Sequence, residues 1–144
     1  MKTFTLDEAQ SLLPILESLL KRAVDGKRLA EEKDAGLQEL RQRIFLSGGM
    51  QVNVIAVARQ RAEVDKLVQQ AKDAVAEIDS IGVQVKDLEM GLLDFPCLID
   101  SEIVLLCWRM GESRIDFWHT LDAGFRGRQP LDERFGRNKP ERPN

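Results

Sequence analysis

The first half of the chain carries apolar positions in alternating steps of three and four residues, the spacing of one face of an α-helix. The first series of apolar or long-stemmed side chains is Leu6, Ala9, Leu13, Leu16, Leu20, Ala23, Lys27 and Ala30. The second series is Val54, Val57, Arg61, Val64, Val68, Ala71, Val75 and Ile78. Gly48 and Gly49 lie between the two series. The pattern predicts two long helices that pack antiparallel on either side of a glycine turn.

The ends of this hairpin carry recognisable signals. Thr5 and Glu8 have the spacing of a capping box at the start of the first helix. Pro14 lies inside that helix, and because the apolar series continues past it, we expect a kink rather than an end. Gly82 stands where a left-handed C-cap is expected. The helical hairpin is therefore predicted over residues 5–81.

From Gly82 onwards the hydrophobic period changes to two, which is typical of β-strands. The candidate strands are 83–87, 92–98, 103–110 and 115–120. A tight turn at Asp100 and Ser101 would pair Asp94 with Cys107. The predicted fold class is α+β, with the long antiparallel hairpin packed on a small antiparallel meander of three to four strands.

A second turn, centred on Glu112 and Ser113, would pair Leu106 with His119 and Arg109 with Asp116. These pairings predict a core face that has His119 at its edge. The opposite, open face would carry Asp94, Cys107, Arg109, Asp116 and Trp118. Cys97 and Cys107 fall on opposite faces in this arrangement, so we expect no disulfide between them.

Length, charge and cysteine content limit the number of domains and the classes of function. A chain of 144 residues suits one domain, predicted over 1–131, with a basic and disordered tail at 132–144. The net charge of −3 disfavours nucleic-acid binding, and no apolar run approaches the ~20 residues of a membrane helix. The N-terminus lacks a signal-peptide core, and two cysteines make a weak disulfide framework. We therefore expect a cytoplasmic protein with reduced thiols.

Several short motifs together resemble a known family. They are the segments 91–96 (GLLDFP), 106–109 (LCWR), 117–119 (FWH), Gly124-Phe125, Gly127-Arg128 and Pro130-Leu131, with 4–9 (FTLDEA) at the start. This combination is similar to the bacterial family catalogued as domain of unknown function 2203, over residues 4–131. The resemblance implies the same fold, and it implies no activity.

His119 is the only histidine, so histidine-based catalysis or metal binding must use it. Glu112, Asp122 and Cys107 are its candidate companions, and a divalent metal site of His119 with Glu112 and Asp122 is conceivable. The predicted register opposes this set, because it puts His119 on the core face and Glu112 at the far end of the strands. A structural histidine, hydrogen-bonded at the sheet edge, is the alternative.

Two further groups could bind a ligand or partner. Trp118 with Arg109, Asp94 and Asp116 would form a cluster on the open face, or else only a cross-strand ladder of charges. Arg126 and Arg128 lie in a glycine-containing loop that could hold a phosphate or carboxylate, although it lacks the features of a P-loop. The alternative is a loop that only anchors the chain.

No complete catalytic set emerges from the residues, so the function stays open and an enzyme is disfavoured. The leading hypothesis is a non-enzymatic protein that binds a small anion or a protein partner. Homodimerisation through the long hairpin is expected, since a helix of about 60 Å exceeds what a domain this size needs. The alternative is a metal-dependent enzyme that uses His119 with Glu112 or Asp122. No cofactor is predicted beyond that candidate metal.

Overall fold

The computed structural model describes residues 2–46, 48 and 54–136, and these residues confirm the predicted α+β fold. The helices are α1 (Leu6–Leu46) and α2 (Val54–Ile81). The strands are β1 (Gln84–Asp87), β2 (Leu92–Ile99), β3 (Glu102–Arg109), β4 (Phe117–His119) and β5 (Gln129–Pro130). Two short 3-10 turns, Phe125–Gly127 and Glu133–Phe135, flank β5.

Helix α1 begins at the predicted capping box. The Thr5 N–H donates to Glu8 Oε1 at 2.8 Å, and the Glu8 N–H donates to Thr5 Oγ1 at 3.1 Å. These bonds satisfy two of the donors that the first turn of a helix leaves without a partner. Pro14 lies inside the helix, which continues to Leu46. Its 41 residues span about 60 Å at 1.5 Å per residue.

The two helices form a hairpin, as the apolar series predict. Gly26 is buried at their contact, where an added Cβ would lie 3.3 Å from the Leu67 carbonyl oxygen and 3.5 Å from the Ala71 Cβ. The missing side chain therefore allows the helices to approach closely. The predicted turn is described only at Gly48, and Gly49 lies outside the described residues. No helix in the described part of the chain combines the length and the apolar character that a bilayer span requires.

The strands form one antiparallel sheet in the order β1-β2-β3-β4-β5, which is a simple meander. The two-residue strand β5 extends the predicted three to four strands to five. The β2–β3 register is the predicted one, with Asp94 opposite Cys107 and eight consecutive pairs. Its turn has φ of 50° at Asp100 and 67° at Ser101. Positive φ at both central residues is the type I′ geometry that matches the twist of a two-residue hairpin.

The predicted β3–β4 register is wrong by one residue. His119 pairs with Leu105, and Trp118 pairs with Leu106, whereas the prediction paired His119 with Leu106. Because side chains alternate along a strand, a slip of one residue moves each of them to the other face. Trp118 therefore lies on the core face and is only 8% exposed, and His119 lies on the opposite face.

Local contacts in the connection explain the slip. The Arg109 N–H donates to Glu112 Oε1 at 2.7 Å, and the Glu112 N–H donates to the Arg109 carbonyl at 3.0 Å, which closes a tight turn. The Ile115 N–H donates to Gln10 Oε1 of helix α1 at 2.9 Å. Ile115 is thus held by the helix, and the predicted pair with Met110 does not form. The predicted pair of Arg109 with Asp116 is likewise absent from the register of β3 and β4.

The core lies between the hairpin and one face of the sheet. Its fully buried members from the sheet include Leu93, Phe95, Leu106 and Trp108, and those from the helices include Leu16, Leu20 and Ile78. Ile115, in the connection before β4, is also fully buried in this core. At about 25 cal/mol per Å² of apolar surface, this burial is the main term that stabilises the fold.

The chain beyond the predicted domain end at residue 131 continues into this core. Phe135 is 9% exposed, and its ring centroid lies 5.7 Å from that of Trp118. The Arg134 guanidinium lies 5.0 Å from the centroid of the Trp118 ring. Residues 132–136 of the predicted disordered tail therefore pack against β4. The rest of that predicted tail, 137–144, lies outside the described residues.

Candidate functional site

Three polar or nucleophilic side chains meet on the face of the sheet that the hairpin does not cover. Asp94 comes from β2, Cys107 from β3 and His119 from β4. One ligand-type atom from each lies within 4.8 Å of the others. They are 1%, 1% and 2% exposed, so the cluster is almost completely removed from solvent.

The sheet geometry brings these residues together. Asp94 and Cys107 are direct cross-strand partners, and Cys107 pairs with Phe117, two residues before His119 in β4. Side chains two positions apart in a strand share a face, so His119 lies diagonally from Cys107 and reaches towards Asp94. Strands in the middle of a packed sheet hold such side chains more rigidly than loops do.

The hydrogen bonds of His119 identify which ring nitrogen carries a proton. Nδ1 lies 2.7 Å from the carbonyl oxygen of Thr120, and a carbonyl only accepts, so Nδ1 must be the donor. Nε2 lies 3.2 Å from both Oδ1 and Oδ2 of Asp94. In a neutral ring Nε2 then presents a lone pair towards a carboxylate. Two acceptors that face each other repel. The contact between His119 Nε2 and the Asp94 carboxylate therefore needs either one shared proton or a cation between the two groups.

The protein environment favours the protonated forms of the two acidic members. Burial raises the pKa of Asp94, and the neighbouring His119 opposes this rise. Burial also raises the pKa of the Cys107 thiol to about 11, and the negative charge of Asp94 adds to the rise, while Arg128 opposes it. At neutral pH Cys107 is a thiol, so it is not a ready nucleophile by itself.

A pocket of about 520 Å³ lies directly above the cluster. Asp94, Cys107 and His119 form part of its lining, and the remainder comes from the end of β1, the β1–β2 turn, the start of β2 and the segment after β4. The other lining residues are Lys86, Asp87, Met90, Leu92, Leu121, Ala123, Gly124, Phe125 and Arg126. The volume lies in the range typical of small-molecule sites.

Arg128 holds the outer wall of this pocket. Its guanidinium lies 4.0 Å from the ring centroid of Phe117 and 4.3 Å from that of Phe125. Its Nη2 is 2.9 Å from Oε2 of Glu112. A cation held between two aromatic faces and paired with a half-buried carboxylate restricts the segment that carries Phe125.

The structure does not bring together the metal set that the sequence indicated. Glu112 is bonded to Arg128 and to the Arg109 N–H, and Asp122 accepts a bond from Thr120 Oγ1 at 2.9 Å. His119 meets Asp94 and Cys107 instead. Of the three companions considered from the sequence, only Cys107 lies beside the histidine.

The predicted ligand cluster around Trp118 is also divided by the register. Trp118 is in the core, Asp94 is on the opposite face, and Asp116 forms an ion pair with Arg114 at 3.0 Å. Arg109 is exposed at the end of β3, with its guanidinium 6.0 Å from the Phe125 ring centroid. From the predicted anion-binding loop, Arg126 lines the pocket and Arg128 braces its wall.

Each member of the observed cluster was a candidate residue in the sequence, but no candidate group joined all three: Cys107 was a candidate companion of His119, and Asp94 belonged to the Trp118 group. The correct β2–β3 register already joins Asp94 to Cys107. The undetermined feature was the choice of face in β4, where assigning Trp118 rather than His119 to the apolar core face would have been the better hydrophobic assignment. The neighbouring Phe117 obscured that choice, because it is apolar and lies on the same face as His119.

Comparison with known proteins agrees with the fold and leaves the chemistry open. The model of a family described as "Uncharacterized conserved protein (DUF2203)" matches residues 2–131, which include every residue of the cluster and of its pocket. No curated protein and no solved structure matches the chain significantly.

Proposed function

Because the chain belongs to the DUF2203 family, whose description carries no activity, we propose a function from the site itself: Asp94, Cys107 and His119 bind one divalent transition-metal ion. The metal serves a small molecule that occupies the pocket above it. The observation that carries this proposal is the orientation of His119. Its Nδ1–H is bonded to a backbone carbonyl, and its Nε2 is directed at a carboxylate. This is the arrangement in which metal-binding histidines are commonly held.

The spacing of the ligand atoms suits such an ion. Around a tetrahedral zinc with bonds of about 2.0–2.1 Å to nitrogen and oxygen, neighbouring ligand atoms are about 3.3 Å apart. Nε2 of His119 is 3.2 Å from each carboxylate oxygen of Asp94. The Cys107 sulfur lies within 4.8 Å of its partners, so a bound ion would need only a modest rotation of this side chain to gain it as a third ligand.

Charge supports the same assignment. An ionised Asp94 and a thiolate at Cys107 together carry two negative charges, which a divalent cation neutralises in a site that excludes water. The ligand types, one nitrogen, one oxygen and one sulfur, favour zinc or a similar transition metal over magnesium or calcium.

Three protein ligands would leave a position for a bound molecule, and all three residues line the pocket. A metal with an open position supplies a Lewis acid for a bound carbonyl or phosphoryl oxygen, or it activates a water molecule. The chain's own residues supply orientation: the Thr120 carbonyl holds the His119 ring, and Arg128 holds the wall that carries Phe125. We therefore place the protein among metal-dependent enzymes.

The test is the metal content of the full chain, together with the spectrum of the cobalt-substituted protein. We expect one metal per chain and a thiolate-to-cobalt charge-transfer band. Asp94→Asn keeps the size of the side chain, and its amide can donate to Nε2, so this variant should fold and lose the metal. Wild-type protein that takes up no zinc or cobalt during refolding would overturn the proposal.

Matched controls separate this set from the one indicated by the sequence. Glu112→Gln and Asp122→Asn should retain the metal, because neither carboxylate lies in the cluster. Cys97→Ser should retain the cobalt band that Cys107→Ser loses, since Cys97 is on the core face. Metal loss in Glu112→Gln with retention in Asp94→Asn would instead support a site that uses Glu112, as the sequence indicated.

A second candidate function is self-association, which an apolar groove favours. This groove, of about 650 Å³, lies between α1, α2 and β1, and most of its lining surface is apolar. Its rim carries Lys27 and Lys72 as well as Glu31 and Asp79, so a second copy related by two-fold symmetry could offer opposite charges. We propose a homodimer, and light scattering that gives a monomer mass at all concentrations would remove it.

We also propose the cytoplasm as the location. Cys97 and Cys107 are both unpaired and buried. A reducing compartment would keep Cys107 available as a metal ligand. Recovery of the protein from the periplasmic or secreted fraction of its native host would contradict this location.

A further inference from the structure

We propose that the pocket above Asp94, Cys107 and His119 binds a small organic anion, whose charged group is held by Lys86 and Arg126. The anion is a carboxylate or a phosphate ester with an apolar body. The inference rests on the proposed metal in two respects: the ion would neutralise the negative groups at the inner end of the pocket, and it would offer a position to the same molecule.

The basic side chains of the described sheet region, residues 82–136, indicate this ligand class, because those that form no ion pair and contact no ring line the pocket. Among the described residues 82–136 there are six basic side chains. Arg114, Arg128 and Arg134 form ion pairs, and Arg109 lies over Phe125. Lys86 and Arg126 form no ion pair with any described residue, although residues 81–124 hold an excess of acidic groups. Both of these unpaired cations line the pocket.

The two carboxylates in the pocket lining, Asp87 and Asp94, each have a partner within the protein. Asp87 Oδ1 accepts a hydrogen bond from the Met90 N–H at 2.9 Å. Asp94 is directed at His119 at the floor, where the proposed metal neutralises it. The bond to the Met90 N–H leaves Asp87 its negative charge. With Asp94 and Cys107 neutralised by the proposed metal, the two unpaired cations outnumber this one carboxylate, so an incoming anion meets a net positive charge.

The remaining wall requires an apolar part in the ligand. Met90, Leu92, Leu121 and Phe125 contribute hydrocarbon surface to the lining. Met90 and Leu121 are 37% and 58% exposed, so a ligand placed against them would remove apolar surface from water. A volume of about 520 Å³ is much larger than an inorganic ion needs. The site thus matches an anionic head group on a ring or short chain.

The experiment measures binding of three probes to the zinc-loaded full chain by ligand-observed NMR. Benzoate and phenyl phosphate carry the two candidate head groups, and benzamide is a neutral molecule of similar shape to benzoate. We expect whichever anion matches the site to bind about tenfold more tightly than benzamide, because only the anions gain the two charge contacts. Equal binding of all three probes, or binding of none, would overturn the inference.

Charge-neutral variants assign the selectivity to its residues. Lys86→Gln and Arg126→Gln should each weaken the preferred anion about two- to fivefold and leave benzamide unchanged. Lys66→Gln is the matched control, because Lys66 is exposed on α2 and contributes to no wall of this pocket. If Lys66→Gln weakens binding as much as the other two, the effect is one of net charge and the inference fails.

Metal content measured on the same samples separates the two proposals. Zinc present with no anion preference refutes the anion inference alone. Zinc absent, with an anion preference that depends on Lys86 and Arg126, refutes the metal and supports the anion pocket. In the cobalt protein, a change of the visible spectrum on adding the preferred anion supports shared occupancy, and an unchanged spectrum at saturation contradicts it.

Discussion

The two faces of the sheet carry opposite chemistry on neighbouring residues. In β2 Phe95 faces the helical hairpin and Asp94 faces away from it, and in β4 Trp118 and His119 divide in the same way. Both faces are buried near these positions. The face under the hairpin consists of apolar side chains, whereas the other buries a carboxylate, a thiol and an imidazole that contact one another.

This difference separates stability from chemistry within a single sheet. The core face supplies the apolar burial that holds the strands in register. The site face buries polar groups at a cost, and that cost is reduced because the groups bond to each other and because His119 bonds to the Thr120 carbonyl. Changes on the core face should therefore unfold the protein, and changes on the site face should alter binding.

The largest expected effect is on the core face. Trp108→Ala should lower the free energy of unfolding by about 3–5 kcal/mol, because the side chain is 1% exposed and leaves a cavity. It also removes the bond from Trp108 Nε1 to the Glu112 carbonyl at 3.0 Å. Urea denaturation followed by circular dichroism measures this loss. A loss below about 1 kcal/mol would mean that the hairpin does not depend on this face.

The two cysteines give the sharpest comparison, since they lie on opposite faces. Cys97→Ser buries a hydroxyl among apolar neighbours and should cost about 1–3 kcal/mol without affecting metal content. Cys107→Ser should cost less, because its hydroxyl can donate to Asp94, and it should lose the cobalt charge-transfer band.

Urea titration and cobalt spectra on both serine variants check these outcomes. Equal stability losses accompanied by equal metal losses would show that the two faces are not separable in this way.

Gln10 links helix α1 to the segment just before β4, the strand that carries Trp118 on the core face and His119 on the site face. Gln10→Ala should cost about 1 kcal/mol, because it removes the bond that Gln10 Oε1 accepts from the Ile115 N–H at 2.9 Å. Since Ile115 precedes β4, we expect faster amide exchange at Ile115 and at Trp118. Hydrogen exchange followed by NMR detects this change. An unchanged rate at Ile115 would show that this bond does not hold the strand.

The smallest effect is expected at Trp118. Its Nε1 is buried without a hydrogen-bond partner among the described residues, so Trp118→Phe removes an unsatisfied donor. Phenylalanine keeps the ring contact with Phe135, but its ring is smaller. The gain from removing the donor and the loss of apolar packing should therefore nearly cancel, to within about 1 kcal/mol. Thermal unfolding of the variant provides the measurement. A loss above about 2 kcal/mol would indicate that Nε1 has a partner in solution.

Local signals in the sequence were sufficient for most of the fold. The apolar periods predict both helices, and the Thr5–Glu8 capping box marks the observed start of α1. The β2–β3 register was also predictable, because a two-residue turn leaves the strands no freedom to slide. These features depend on residues close together in the chain.

The register of β4 was decided by tertiary structure. The connection from Met110 to Asp116 is long enough to allow more than one pairing, and the alternation of Phe117, Trp118 and His119 is compatible with either. The Arg109–Glu112 turn and the bond from Ile115 to Gln10, which is distant in sequence, select the observed one.

The candidate site depends on that selection. The sequence by itself determined that Asp94 lies across from Cys107, and that His119 is the only imidazole available. Only the packed structure put His119 on the same face, because a shift of one residue exchanges the two faces of a strand. In the selected register Trp118 packs against Phe135 and the core, and His119 is directed at Asp94.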